Sequence, residues 1–150
     1  MKILTKIVLV FLIVSLTACN NQLEIGSLLY EEQTGPDIQN ANYRVVEIAY
    51  DENQFEELWE VFNFKGRSDD VYYEEFATLF LHTIENSCPK KITKVELNDD
   101  GSRLSILTTQ KETNCDDYAI SRSFVLKIEK EKLNDVESIY FEGQPFQLIK

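Results

Sequence analysis

Apolar residues recur along this chain with two different periods. Phe55, Leu58, Trp59 and Phe62 fall at i, i+3, i+4 and i+7, while Glu52, Glu56, Glu57 and Glu60 take the other faces. That spacing predicts an amphipathic helix over about 52–63, with Asp51 as N-cap and Gly66 just past its end. Its early acids, Asp51 and Glu52, suit the positive end of the helix dipole. Elsewhere β-branched and aromatic residues dominate. Tyr43 to Tyr50 reads as the first strand of the domain. Phe76 to Ile84 is apolar on both faces, which fits a strand buried on both sides, although periodicity alone leaves a helix open. Ile92 to Asn98 and Arg103 to Lys111 flank Asp99-Asp100-Gly101-Ser102, a hairpin signal, because a type I′ turn needs positive φ at both central residues. Tyr118 to Lys130 places Ile120, Phe124, Leu126 and Ile128 on one face, and Glu137 to Phe141 makes a short last strand. These elements predict an α+β fold: a mainly antiparallel sheet of about five to six strands with one long helix, about 52–63, packed on one face.

The start of the chain follows neither period. Lys2 and Lys6 precede Ile7 to Leu16, an almost unbroken apolar run of ten residues. Ten residues of helix reach about 15 Å, roughly half a bilayer's hydrocarbon core, so this is not a stable span. A charged start, a short apolar stretch and small residues at Thr17 and Ala18 have the layout of a secretory signal peptide. Leu16-Thr17-Ala18-Cys19 resembles the lipobox of bacterial lipoproteins. By that resemblance Cys19 receives a diacylglyceryl thioether, the chain is cut after Ala18, and two or three acyl chains anchor it stably to a membrane. The alternative is an ordinary signal peptide with a chance cysteine at its end.

Three segments follow from this reading: a lipoprotein signal peptide over 1–18, a lipidated N-terminus and tether over 19–42, and a single domain over 43–150. The segment 20–42 mixes Asn, Gln, Glu, Gly26, Gly35 and Pro36 without a sustained period, as a linker does. A flexible coil of about 20 residues reaches on the order of 25 Å. Leu23, Ile25, Leu28, Leu29 and Tyr30 leave open that part of it docks as an extra strand or short helix.

Charge narrows the partners. The 150 residues carry 26 acidic and 15 basic side chains; without the leader's two lysines, 13 basic ones remain. So acidic a chain does not suit nucleic acid, whose binding needs clustered Lys and Arg. It is also repelled by an anionic membrane surface, which favours a domain standing off on its tether.

Cysteine and histidine exhaust the candidate chemistry. If Asp100-Gly101 is a two-residue loop, paired positions sum to 201 and position 88 faces 113, two residues short of Cys115. A little slack brings Cys88 and Cys115 within disulfide range, and an exported chain with Cys19 consumed by lipid keeps an even number of thiols in an oxidising compartment. The competing readings are two reduced buried thiols or half of a metal site. Zinc wants four ligands, and the sequence adds only His82, so no metal or other cofactor is expected. His82, the single histidine, sits in an apolar run and reads as structural rather than as a general base. No G-x-S-x-G elbow, H-E-x-x-H, phosphate loop or EF-hand motif occurs. Asp69-Asp70, Glu74-Glu75, Asp99-Asp100 and Asp116-Asp117 read as solvated acids. No catalytic residue is assigned, and the chain is read as a non-enzyme.

Phe55-Glu56-Glu57-Leu58-Trp59, then Asp69-Asp70, then Tyr73 to Phe80 and Phe124-Val125-Leu126-Lys127-Ile128 resemble PrcB-type protease-associated domains of bacterial lipoproteins over about 43–130. The chain departs from them at Asn86-Ser87-Cys88-Pro89-Lys90-Lys91, where that family tends to carry a glycine-rich turn. The resemblance implies a non-catalytic module that binds or stabilises another envelope protein. The expectation is an exported lipoprotein, held to a bilayer through Cys19, that works by protein binding. The alternatives are a small-ligand or divalent-cation binder using the acidic loops near the disulfide and, third, an envelope hydrolase.

Overall fold

The computed structural model describes residues 23–37, 44–66, 70–110 and 114–148. The expected leader and Cys19 lie outside the described residues.

Two long strands, β3 (Phe76–Glu85) and β6 (Ile120–Glu129), pair antiparallel over ten positions, from Phe76 opposite Glu129 to Glu85 opposite Ile120. β2 (Val45–Ala49) flanks β3 and β1 (Ser27–Glu32) flanks β6, giving a first sheet ordered β1-β6-β3-β2. A second sheet is ordered β4-β5-β7-β8, from β4 (Lys90–Leu97), β5 (Arg103–Gln110), β7 (Ser138–Phe141) and β8 (Gln144–Gln147). Within it β5 and β7 run parallel. One α-helix, α1 (Glu52–Val61), and a 3-10 turn over Lys130–Leu133 complete the described elements.

This corrects the expected architecture. The fold is mostly β, with two four-stranded sheets and one short helix, rather than a long helix on a single sheet. The reason lies in β3 and β6. Ala77, Leu79 and Leu81 with Phe124, Leu126 and Ile128 point one way and are fully buried against Val95, Leu104, Ile106, Ile139 and Phe141 of the second sheet. Phe80 and Val125 point the other way, into the layer under α1. A helix covers one face of a sheet, so two apolar faces need a second covering layer, and β4, β5, β7 and β8 supply it.

α1 stops at ten residues for a local reason. Asp51 caps its start, Oδ1 accepting from the Gln54 N–H at 2.9 Å, while Gln54 Oε1 accepts from the Tyr50 N–H at 2.8 Å. At the other end Asn63 has φ of 57°, its N–H donates to Glu60 O, and the Phe64 N–H donates to Trp59 O. The Phe64 ring packs on Trp59 with centroids 4.6 Å apart. That is a Schellman termination with its apolar contact, three residues before the glycine expected to end the helix. Gly66 serves another need: a Cβ there would fall 1.9 Å from Tyr30 Oη.

Residues 23–37 belong to the fold. β1 pairs with β6, Leu23, Ile25 and Leu28 pack on the inter-sheet core, and Tyr30 meets Trp59 at a tilt and Phe64 edge-on. The Thr34 hydroxyl donates to Phe62 O at 3.2 Å and Asn63 Nδ2 donates to Gly35 O at 3.1 Å, which ties the segment after β1 to the end of α1. The domain therefore starts no later than Leu23, ahead of the boundary expected at 43.

The turns also differ from expectation. Only Gly101 in the β4–β5 loop has positive φ, at 76°, so the loop is four residues closed by Asn98 and Arg103 rather than a two-residue I′ turn. Pairs such as Val95 with Ile106 still sum to 201, until a bulge between Ile92 and Lys94 shifts the register by one. The turn with both central residues at positive φ joins β7 to β8, where Glu142 is at 51° and Gly143 at 76°.

Candidate functional site

Cys88 and Cys115 form a disulfide with α-carbons 5.5 Å apart. It fastens the segment before β6 to the turn between β3 and β4, where the chain crosses from one sheet to the other. Hydrogen bonds reinforce it: the Ser87 N–H donates to Asp116 O at 3.1 Å, and the Asp116 N–H donates to Ser87 Oγ at 2.7 Å. Asn86 Oδ1 accepts from the Cys88 N–H and from Gln110 Nε2.

Beside the disulfide, ionic contacts cross both sheets. Glu85, 3% exposed, accepts from Arg122 Nε at 2.9 Å and from the Lys90 N–H at 2.8 Å. Lys90 Nζ meets Glu142 at 2.6 Å, and the Thr108 hydroxyl donates to the second Glu142 oxygen. Each carboxylate oxygen named here has a donor, so the cluster is a hydrogen-bonded clasp between the two sheets. Nearby, Arg44, Thr83, Ile84 and Ala119 line an open cleft of about 330 Å³.

His82 lies on the outer face of the first sheet, buried beside Ser123. Its Nδ1 is 3.1 Å from Ser123 Oγ, and that hydroxyl donates to Thr34 O at 2.8 Å. The serine proton is committed to a carbonyl, which places the imidazole as donor to Oγ. A nucleophile–base pair requires the opposite polarity. Gly35 closes over the ring; a Cβ there would fall 2.4 Å from His82 Cε1. Burial holds the imidazole below its ordinary value of 6.5, against the opposing pull of the Thr34 and Arg122 backbone contacts.

The Trp59 stripe packs inward on the first sheet. Phe55, Trp59, Phe62 and Phe64 surround the Phe80 ring at centroid distances of 5.3 to 6.4 Å. Of the acidic pairs, Asp69 lies outside the described residues, and Asp70, Glu74, Glu75, Asp99, Asp116 and Asp117 are exposed. Asp100 accepts from the Ser102 N–H at 2.8 Å, and the Ser102 hydroxyl and N–H hold its carboxyl below the ordinary value. No three His, Cys, Asp or Glu side chains converge to hold a metal ion among the described residues. Nor is any helix among them long and apolar enough to cross a membrane.

One sheet face is left uncovered by any described element: the outer face of β4-β5-β7-β8. Glu96, Ser105, Tyr140 and Pro145 form a straight row across its four strands, with Lys94 and Leu107 paired beside them. Leu107 is 44% and Tyr140 37% exposed, and the Arg103 guanidinium lies 5.1 Å from the Tyr140 ring centroid. Sequence reading missed this surface. Its signal was Leu107, an apolar residue on the outward side of an otherwise alternating strand, followed much later by Tyr140 between buried Ile139 and Phe141. No known protein family matches the chain, and no curated protein or solved structure shows significant similarity to it.

Proposed function

We propose that this chain is an exported lipoprotein, anchored to a bilayer through Cys19, whose domain is a non-catalytic protein-binding module acting through the outer face of its second sheet. The observation that supports it is the open row of Tyr140, Pro145, Ser105 and Glu96, with Arg103 and Leu107 beside it. Tyrosine and arginine at the centre of a flat surface, rimmed by polar groups, are the side chains that dominate protein interfaces. The partner is another envelope protein, as the PrcB-type resemblance implies.

The test is photo-crosslinking in intact cells from a probe at Ser105, with a control probe at Glu57 on the exposed side of α1. A discrete adduct from Ser105 that is absent from Glu57 supports the reading. Removing a central aromatic anchor costs about 2 kcal/mol, roughly 30-fold in affinity, so Tyr140→Ala should abolish the adduct while the domain stays folded. Identical adduct patterns from both probes, or an adduct indifferent to Tyr140→Ala, would refute it. Release of a Cys19→Ser variant from the membrane fraction tests the anchor separately.

A further inference from the structure

We infer that the anchor holds this domain side-on, with edge strand β4 against the bilayer headgroups. The inference rests on the proposed lipidation of Cys19 and adds the orientation. Leu23 and Ile25 pack on the inter-sheet core, and Glu24 pairs with Lys94 of β4 at 3.3 Å. The chain thus leaves the fold beside β4. Four residue steps separate Leu23 from Cys19, and fully extended they span at most about 14 Å. The long tether of the sequence reading, on the order of 25 Å, shrinks accordingly.

Reach then excludes the opposite orientation. β2 lies three strands across the first sheet from β1, about 14 Å between strand axes at about 4.8 Å per spacing. Seating the β2 edge on the bilayer adds that strand's own side chains to the distance, and Leu23 then lies beyond the tether.

Charge is compatible with the same edge. The β4 lysines, Lys90, Lys91 and Lys94, are met by Glu142, Glu24 and Glu96, so this edge is near neutral in a chain whose acidic side chains outnumber its basic ones. Lys90 is engaged by Glu142, and Lys94 by Glu24 and Glu96, while Lys91 is exposed. The tether keeps this strand within about two Debye lengths of the headgroups, at about 8 Å each, where a near-neutral edge is repelled by anionic lipid less than the acidic remainder is.

The experiment uses the full lipidated protein in vesicles of phosphatidylethanolamine and phosphatidylglycerol containing a headgroup-nitroxide lipid. A bimane fluorophore is attached in turn through Thr93→Cys on β4 and Glu47→Cys on β2, both exposed positions. Several-fold stronger quenching at position 93 than at 47 is expected. Inserting ten Gly-Ser residues between Gln22 and Leu23 should remove most of that difference. Equal quenching at the two positions in protein whose N-terminal peptide is acylated by mass spectrometry would overturn the orientation alone. An unacylated Cys19 would overturn the anchor, and the orientation with it.

Discussion

Glu142 sets two effects of opposite sign against each other. A residue other than glycine at φ of 51° costs about 1–2 kcal/mol, and Glu142→Gly relieves that. The same change removes the carboxylate that takes Lys90 and Thr108, whose partners lie on β4 and β5. The side chains of Lys90 and Glu142 are 19% and 10% exposed, so the ammonium left behind is largely desolvated. Breaking one side of a buried pair costs about 3–5 kcal/mol, and the lower end applies because lysine retains some access to water. Glu142→Gly should therefore lose about 1–2 kcal/mol net, despite making a better turn. Lys90→Met with Glu142→Gly removes both charges and keeps the turn gain, so it should recover most of that loss. Urea unfolding followed by the fluorescence of Trp59, the single tryptophan, measures both variants with the disulfide intact. A single variant more stable than the parent by about the full turn gain of 1–2 kcal/mol would show that the clasp contributes nothing. A double variant no better than the single would show that the loss comes from the turn and not from a stranded lysine.

Replacing Cys88 and Cys115 together by alanine should cost about 3.5 kcal/mol from loop entropy at a separation of 27 residues, read as a lower urea midpoint against the oxidised parent. For His82, burial keeps the folded imidazole below 6.5, so the unfolded chain binds the proton first. The stability it contributes is complete above about 6.5 and is lost as pH falls through the lower folded value. NMR of the one histidine should show that low midpoint, and a folded midpoint at or above 6.5 would contradict the burial argument. Phe80→Ala, at the centre of the rings under α1, should cost about 3–5 kcal/mol and shift Trp59 emission; a loss below about 1 kcal/mol would mean the layer repacks.

The long elements were legible because their patterns are local. α1 announced itself through Phe55, Leu58, Trp59 and Phe62 and the Asp51 cap, and β3 and β6 through sustained β-branched and aromatic runs. What escaped was set by long-range contacts. β1 reads Ser-Leu-Leu-Tyr-Glu-Glu inside a polar stretch and becomes a strand by pairing with β6. β8 reads Gln-Pro-Phe-Gln, with one large apolar side chain, and exists because Phe146 sits opposite Ile139. Turn chemistry misled in both directions. Asp100-Gly101 has the I′ sequence without the I′ backbone, because Asn98 Oδ1 takes the Arg103 N–H and closes a wider loop. Glu142-Gly143 has the backbone without the usual sequence, its cost offset by contacts to Lys90 and Thr108. The partition into two sheets was implicit in the double-sided apolarity of Phe76 to Ile84, but no local pattern says what covers the second face.

β1 also has a temporal meaning. Ser27 pairs with Lys127, so the first strand of the fold waits for a partner a hundred residues downstream, whereas β2 and β3 meet across a far shorter loop. Closing so distant a contact is entropically slow, and during synthesis β1 is present long before the edge of β6 that it completes. The sheet is therefore expected to grow from its middle, with its N-terminal margin sealing last. Until then β6 offers an open edge that a second copy of β1 could occupy, which makes domain exchange through the N-terminus the misassembly to expect of this fold.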